Sequence, residues 1–340
     1  MNLPEIKYCP GTLAEGFDSY SQTCLNRVFS GKKVSHILPY YPPDVSEEDA
    51  KEFQANRKRL SISGVQEKVS LLLEKNRLRL TKEGEQGTHI LKPIPRDLQN
   101  VRQVPANEHL TMQIARQVFN IQTAENALIF FQNGTPAYIT KRFDIAEDGS
   151  KIGMEDFATL AGKTAEISGP DFKYEYSYEE MTELVNTYIP AAVVELEKLC
   201  AMIIFNYLIC NGDAHLKNYA VLQTAQGDYI LSPAYDLINT KLHLDDTAIA
   251  LSNGLFKDDY STPSFEANGF YAYDDFYEFG LKIGLVKSRL IKILDKFRSR
   301  SGKVQALIKR SFLNEEMKKM YSSSYENRLK ALNYSMAGRI

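Results

Sequence analysis

Asp213 and Asn218 stand five residues apart in a short polar loop (Asn211, Gly212, Asp213, Ala214, His215, Leu216, Lys217, Asn218) that follows a strongly apolar run. Transfer of a phosphoryl group from a nucleotide asks little covalent chemistry of a protein. It needs a carboxylate to orient the acceptor hydroxyl and divalent cations to neutralise the phosphate oxygens. An Asp and an Asn at this spacing supply the first and part of the second. A second carboxylate, Asp236, follows Tyr235 just after two short apolar runs at 219–222 and 229–231, whose hairpin would return it toward the loop. Oxygen donors from Asn218 and Asp236 suit a hard octahedral cation such as Mg²⁺. Asn-Gly-Asp by itself is an ordinary turn at a helix end; its place between a buried helix and a hairpin gives it weight.

Two features upstream fit the same chemistry. Ser61, Ile62, Ser63, Gly64, Val65, Gln66, Glu67 and Lys68 form a small-residue loop entering a strand, where free backbone N–H groups could cradle phosphates. It is neither a Walker loop nor the Gly-rich loop of ordinary protein kinases, and alone it reads as a turn. Lys92 closes a short strand before Pro93 and could reach the α- and β-phosphates, although a strand-end lysine is more often simply solvated.

The elements that must position these residues fall into two halves. Residues 1–60 read as an irregular lead-in with a short helix near 47–57. Apolar or alternating runs at 65–73 and 77–80 flank Lys75-Asn76 and predict a hairpin; 89–92 is a further strand. Asn107 is placed to cap a helix running to about residue 119, and 126–131 and 136–143 flank an Asn133-Gly134 turn, the strongest hairpin signal in the chain. The second half is helical by periodicity over 178–188, 191–209, 286–312 and 314–332, interrupted by the hairpin turned at Gln226, Gly227 and Asp228. The expectation is an α+β, two-lobed, protein-kinase-like fold. Its parts are a lead-in (1–60), a small β-rich N-lobe (61–143) and a larger helical C-lobe (144–340), with Lys92, Asp213, Asn218 and Asp236 gathered around one nucleotide–metal pocket.

Bulk properties bound the alternatives. A chain of 340 residues, 44% hydrophobic and 25% charged, has ordinary globular composition. A net charge of −2 gives no global field for nucleic acid or an anionic membrane. Cys9, Cys24, Cys200 and Cys210 are widely spaced, without a zinc pattern, as reduced thiols would be. The N-terminus lacks the basic and apolar regions of a signal peptide, and the most apolar segment, 199–210, is too short to span a bilayer. The expected location is the cytoplasm.

At these residues the chain resembles the HipA toxin kinases of bacterial toxin–antitoxin operons. The matching blocks, in the family's order over about residues 57–240, are 61–68, 88–93, Asn107 with Glu108, 141–144, 155–158, 211–218 and 233–236. Jointly they are specific, whereas no single one is. The resemblance implies an ATP- and Mg²⁺-dependent serine/threonine protein kinase of the phosphoinositide-kinase-like branch. It implies Asp213 as catalytic base, His215 and Lys217 lining the loop, and Asn218 and Asp236 as metal ligands, with Tyr235 beside the nucleotide. Lys92 would meet the α/β-phosphates, and Ser63, Gly64, Val65, Gln66, Glu67 and Lys68 would cover the nucleotide. Lys141, Arg142 and Phe143 would form the hinge and contact adenine mainly through backbone. Self-phosphorylation would fall on Ser61, with Ser63 a second candidate as in the shorter relatives called HipT. A phosphate there carries close to two negative charges. It would eject the loop, with Arg57, Lys58 and Arg59 placed to hold it.

Only about 60 residues precede Ser61, fewer than full-length members carry, so the chain resembles the short HipT form. A separate small protein would then supply the missing subdomain and act as antitoxin, beside a helix-turn-helix antitoxin that reads DNA. No basic DNA-contacting stretch is evident. Instead an acidic, aromatic run follows Phe256; such runs are more often packing and solvated charge than a docking face. The resemblance points to an aminoacyl-tRNA synthetase as the protein substrate. Two other readings stand beside this one: a small-molecule phosphotransferase of the same fold, and an inactive antitoxin-binding scaffold.

Overall fold

Alternating apolar residues between positions 69 and 141 build one antiparallel sheet. A computed structural model describes residues 5–43, 67–95 and 98–338. The short helix expected near 47–57, and Arg57, Lys58, Arg59, Ser61, Ser63, Gly64, Val65 and Gln66, lie outside the described residues. The chain divides into two units. One comprises Met1–Gln113, Ala124–Lys151 and Ala306–Lys318; the other comprises Ile114–Thr123, Ile152–Gln305 and Lys319–Ile340.

In the first unit, helix α1 (Gln22–Phe29) precedes strands β1 (Val69–Glu74), β2 (Arg77–Leu80) and β3 (His89–Lys92). Helix α2 (Val104–Gln117) and strands β4 (Asn126–Phe130) and β5 (Pro136–Lys141) follow, giving the strand order β2-β1-β3-β5-β4. Glu74 pairs with Arg77 across a two-residue turn at Lys75-Asn76, with Lys75 at φ 53°. Strand β1 begins at Val69, so Glu67 and Lys68 stand before the strand rather than in it.

The two-residue period of a strand divides the sheet's faces. Leu71, Leu80, Leu91 and Ile139 bury one face in a core shared with Phe29 and Val28 of α1. Lys92, next to Leu91, therefore points to the other face, where its register partner is Tyr138. Sequence periodicity predicts no element over residues 5–43. The structure places α1 there, capped by Ser21, whose Oγ accepts the Cys24 N–H at 3.2 Å, and packs it on the sheet.

Helix α2 does not start at Asn107. It starts at Val104, because Pro105, with φ already fixed near the helical value, sits in the first turn where its missing N–H costs nothing. Asn107 is fully buried inside the helix, where its Oδ1 accepts from Thr111 Oγ1 at 3.3 Å.

In the second unit, β6 (Met154–Asp156), β7 (Ala220–Gln223) and β8 (Tyr229–Leu231) form a three-stranded antiparallel sheet in that order. Helices α3 (Tyr178–Tyr188) and α4 (Ala192–Leu208) precede the β7–β8 hairpin. Downstream come α5 (Tyr273–Lys282), α6 (Lys287–Arg298), α7 (Ser301–Arg310) and α8 (Glu315–Leu332), the second half of α7 and the first residues of α8 belonging to the first unit. The single helix expected over 286–312 breaks at Ser299, whose Oγ donates to the Asp295 carbonyl at 2.7 Å and competes with the helical ladder. The acidic, aromatic run after Phe256 is largely packing. Tyr273, Phe276 and Phe279 of α5 are buried, and Asp275 accepts the Ala272 N–H at 2.6 Å at the helix start.

Two buried histidines make the fold acid-sensitive. His89 is 1% exposed and stacked 5.6 Å from Phe29; its Nε2–H donates to the Val28 carbonyl at 2.8 Å, which fixes the neutral tautomer. Burial pushes its pKa down to about 4, and does the same to His109 in α2. Because the folded pKa lies below the unfolded value of 6.5, the stabilisation is complete above about pH 6.5 and is lost as pH falls toward 4. Each histidine should cost roughly 2 kcal/mol by pH 4.5. Urea unfolding measured from pH 7.5 to 4.5 checks this; a flat profile would rule it out.

Candidate active site

Helix α4 delivers the polar loop through an unusual end. Cys210 adopts φ 57°, the left-handed position normally given to glycine. Its N–H donates to the Tyr207 carbonyl at 3.2 Å and the next N–H, of Asn211, to the Asn206 carbonyl at 2.9 Å, the paired bonds of a Schellman cap. Asn211 Nδ2 also donates to Asn206 Oδ1 at 3.0 Å, and Asn206 Nδ2 to Tyr219 Oη at 3.0 Å, so a buried amide network ties both ends of the loop to α4. A Cβ on Gly212 would come within 2.5 Å of the Asp246 carboxyl carbon, so the Asp246 side chain would have to move to admit one.

Within the loop, the His215 N–H donates to Asn218 Oδ1 at 3.1 Å and the Asn218 N–H to the His215 carbonyl at 2.8 Å. This reciprocal pair fixes Asn218 and leaves a second lone pair on Oδ1. Asp213 is half exposed, with Oδ1 4.0 Å from His215 Nε2. His215 itself is buried, and its Nδ1 has no hydrogen-bond partner among the described residues. Burial pushes its pKa down to about 4; Asp213 and Asp236 oppose that shift and Lys173 reinforces it. Lys217 Nζ lies 3.8 Å from Asp156 Oδ2, at the end of β6.

The segment after β8 is stapled to both ends of the loop. Tyr235 Oη donates to the Lys217 carbonyl at 2.9 Å, the Thr240 N–H to the Cys210 carbonyl at 3.0 Å, and the Gly212 N–H to Thr240 Oγ1 at 3.0 Å. Between these staples Asp236 takes φ 55° and comes near enough to His215 to favour its charged form. Held left-handed conformations in residues other than glycine collect at functional sites. Asn218 and Asp236 thus share His215 as a neighbour.

Two oxygen donors of this kind fit Mg²⁺, which keeps waters and takes further ligands from phosphate rather than from a protein cage. Among the described residues no group of three His, Cys, Asp or Glu forms such a cage. Where Mg²⁺ binds here, Asn218 and Asp236 are the residues that fit it.

The remaining sequence-derived residues lie in the first unit. Lys92 Nζ donates to Glu108 Oε1 of α2 at 2.6 Å, with both side chains buried, and lies 5.4 Å from the centre of the Tyr138 ring. The N–H groups of Lys141 and Arg142 already donate to the carbonyls of Glu125 (2.7 Å) and Thr88 (2.9 Å). Backbone contact from these two residues to a base is therefore left to their carbonyls. The Arg142 guanidinium pairs with Asp144; Phe143 follows in the chain. Glu67 and Lys68 are the only described members of the upstream loop.

Sequence reasoning missed Glu108 as the partner of Lys92, although a glutamate within an apolar helical stretch has to find a cation. It also missed Asp156 and Tyr174, whose Oη donates to Asp213 Oδ1 at 2.5 Å. Nothing in the local pattern of Lys173, Tyr174 and Glu175 marks that contact.

A family model described as the HipA-like C-terminal domain matches residues 60–304, well over half of the chain. The chain belongs to this family. Two relatives of the HipA-like protein carry the name "Putative kinase". One, from Haemophilus influenzae, is 26% identical over 347 residues and covers 98% of each chain. Another, from Sinorhizobium fredii, is 29% identical over 248 residues, 70% of this chain and 55% of that one.

A chain of the Shewanella oneidensis complex of HipA, HipB and operator DNA superposes with a TM-score of 0.59 at 22% identity, over 79% of the HipA-like chain and 63% of its own length. The Helicobacter pylori proinflammatory kinase CtkA gives 0.51 at 13% identity, over 77% and 93%. The fold is thus the mixed α and β fold of these kinases. The HipA-like chain spans about half of the Sinorhizobium relative and under two thirds of the Shewanella chain. Among the described residues no helix is long and apolar enough to cross a membrane.

Proposed function

We propose that this chain is an ATP- and Mg²⁺-dependent serine/threonine protein kinase, acting in the cytoplasm as the toxin of a toxin–antitoxin pair of the short HipT form. The observation that most supports a kinase is the buried ion pair of Lys92 with Glu108. Protein kinases hold their phosphate-binding strand lysine with a helix glutamate in this way. In transfer, the acceptor oxygen bonds to the γ-phosphorus as the bond from that phosphorus to the β–γ bridging oxygen breaks. The hydroxyl proton passes to Asp213 and ADP leaves. Asn218 and Asp236 would hold Mg²⁺, which when bound would supply charge neutralisation for the phosphate oxygens. Lys92 contacts the α- and β-phosphates, the 63–68 loop covers the nucleotide, and His215 and Lys217 line its site beside Tyr235, with Lys141, Arg142 and Phe143 as the hinge.

Family resemblance supplies the rest. The acceptor is a Ser or Thr of an aminoacyl-tRNA synthetase, a small protein serves as antitoxin, and a helix-turn-helix partner contacts DNA. Self-phosphorylation at Ser61 or Ser63 silences the enzyme by ejecting the loop.

The purified chain incubated with γ-³²P-ATP and Mg²⁺ in a bacterial lysate should label a discrete protein band, and EDTA should abolish the label. Label confined to small molecules would favour a small-molecule phosphotransferase, and no label at all would leave a scaffold. Intact mass after ATP treatment should show added phosphate mapping to Ser61 or Ser63; an unmodified active enzyme would end that part of the reading.

A further inference from the structure

Tyr174 stands out among the residues around the loop because its hydroxyl reaches the carboxylate that the proposed reaction uses as base. The Oη–Oδ1 distance of 2.5 Å is that of a strong, charge-assisted hydrogen bond. Among the described residues only one carboxylate oxygen is engaged. Asp213 Oδ2 has no partner among the described residues, and the side chain is 51% exposed. The ring of Tyr174 also meets His215 edge to face at 5.2 Å, so the phenol and the imidazole bracket the same oxygen.

The segment carrying Tyr174 is anchored on both sides. The Lys173 carbonyl accepts the Leu216 N–H at 3.0 Å, which bolts it to the catalytic loop itself. The Tyr174 carbonyl accepts from both the N–H of Ser252 (2.9 Å) and its Oγ (3.0 Å), and the Tyr174 N–H donates to the Asp171 carbonyl at 2.8 Å. Lys173 Nζ covers the ring at 4.9 Å. A displaceable plug over the acceptor site would not be fastened through its own backbone to the loop it blocks. Fastening of this kind suits a fixed support.

We propose that Tyr174 is a positioning residue for phosphoryl transfer: it holds Asp213 by Oδ1 in one rotamer so that Oδ2 faces the acceptor hydroxyl. This rests on the kinase reading above. Free rotation of an exposed aspartate would scatter the accepting oxygen, and a misplacement of about 1 Å is enough to cost on the order of 100-fold in rate. The groups facing the phenol are Asp213, Asp246 and Asp171, His215, and Lys173 on its own segment. Burial together with Asp213 pushes its pKa upward, so the hydroxyl stays a donor at working pH.

Tyr174→Phe removes only the oxygen. It should lower kcat roughly 10- to 100-fold, with KM for ATP and thermal midpoint unchanged. A fluorinated tyrosine at 174, with a more acidic hydroxyl, should retain activity at neutral pH and lose it at lower alkaline pH than the natural enzyme, as a phenolate comes to face the carboxylate. Wild-type kcat in Tyr174→Phe, where Asp213→Asn is inactive, would overturn the positioning role and leave the kinase reading standing. Equal activity of wild type and Asp213→Asn would remove Asp213 as the base and the positioning role with it, whereas no transfer by the natural chain would overturn the kinase reading itself. Independently of turnover, the ¹⁹F resonance of the fluorotyrosine should shift when Asp213 becomes Asn; an unmoved resonance would exclude the bond.

Discussion

Asp213→Asn should abolish transfer to protein while leaving the fold and nucleotide binding nearly intact. The substitution keeps the shape of the side chain but removes the charge and basicity that accept the hydroxyl proton. A positioned general base contributes about 10² to 10⁴-fold, so kcat should fall by about three orders of magnitude. Stability should change little. The Asp213 side chain is half exposed, and the loop is held by backbone: the Asp213 N–H bonds Asn211 Oδ1 at 3.4 Å and its carbonyl accepts the His215 N–H at 2.8 Å. A change within about 0.5 kcal/mol is the norm for such a site. Nucleotide affinity should hold as well, because the proposed metal ligands are Asn218 and Asp236. Calorimetric titration with ATP and Mg²⁺ beside single-turnover transfer separates the two. Unchanged transfer, or affinity lost in step with transfer, would remove Asp213 from the role of base.

What made this loop readable was spacing. Asp213 and Asn218 lie in one unbroken segment, and the short return through β7 and β8 has its turn residues in sequence order. Local signals also served where they acted alone. The β4–β5 turn at Asn133-Gly134 and the span of α3 are as expected, the latter sealed by a capping box between Ser177 and Glu180. Competing tertiary demands hid the rest. Asn107 has the chemistry of a cap yet is consumed by burial in α2, while β6, with three residues, is too short to show a period and exists by pairing with β7. Tyr174 meets Asp213 across 39 residues, which no local rule anticipates. Distance in sequence also concealed α1, whose apolar face makes sense only once Phe29 is stacked on His89.

The ion pair of Lys92 and Glu108 allows structural and catalytic worth to be measured apart. Both side chains are nearly excluded from water, 4% and 3% exposed, and their charged atoms are 2.6 Å apart. Lys92→Met removes the ammonium that Glu108 contacts, and Glu108→Leu removes the carboxylate that accepts from Lys92. Each single change should destabilise by about 3–5 kcal/mol. The double variant removes both charges and replaces them with apolar chains of similar volume. Such exchanges are often neutral or stabilising, so most of the loss should return. A denaturation cycle of the four proteins should therefore show strong coupling between the two sites. Activity should follow a different course. If Lys92 grips the α- and β-phosphates, the double variant folds as well as the natural chain yet transfers phosphate at least about 100-fold more slowly, since the ammonium that meets those phosphates is gone. Recovery of turnover together with recovery of stability would make the pair a core device with no part in phosphoryl transfer. Recovery of stability alone would place Lys92 on the nucleotide and Glu108 as the group that aims it.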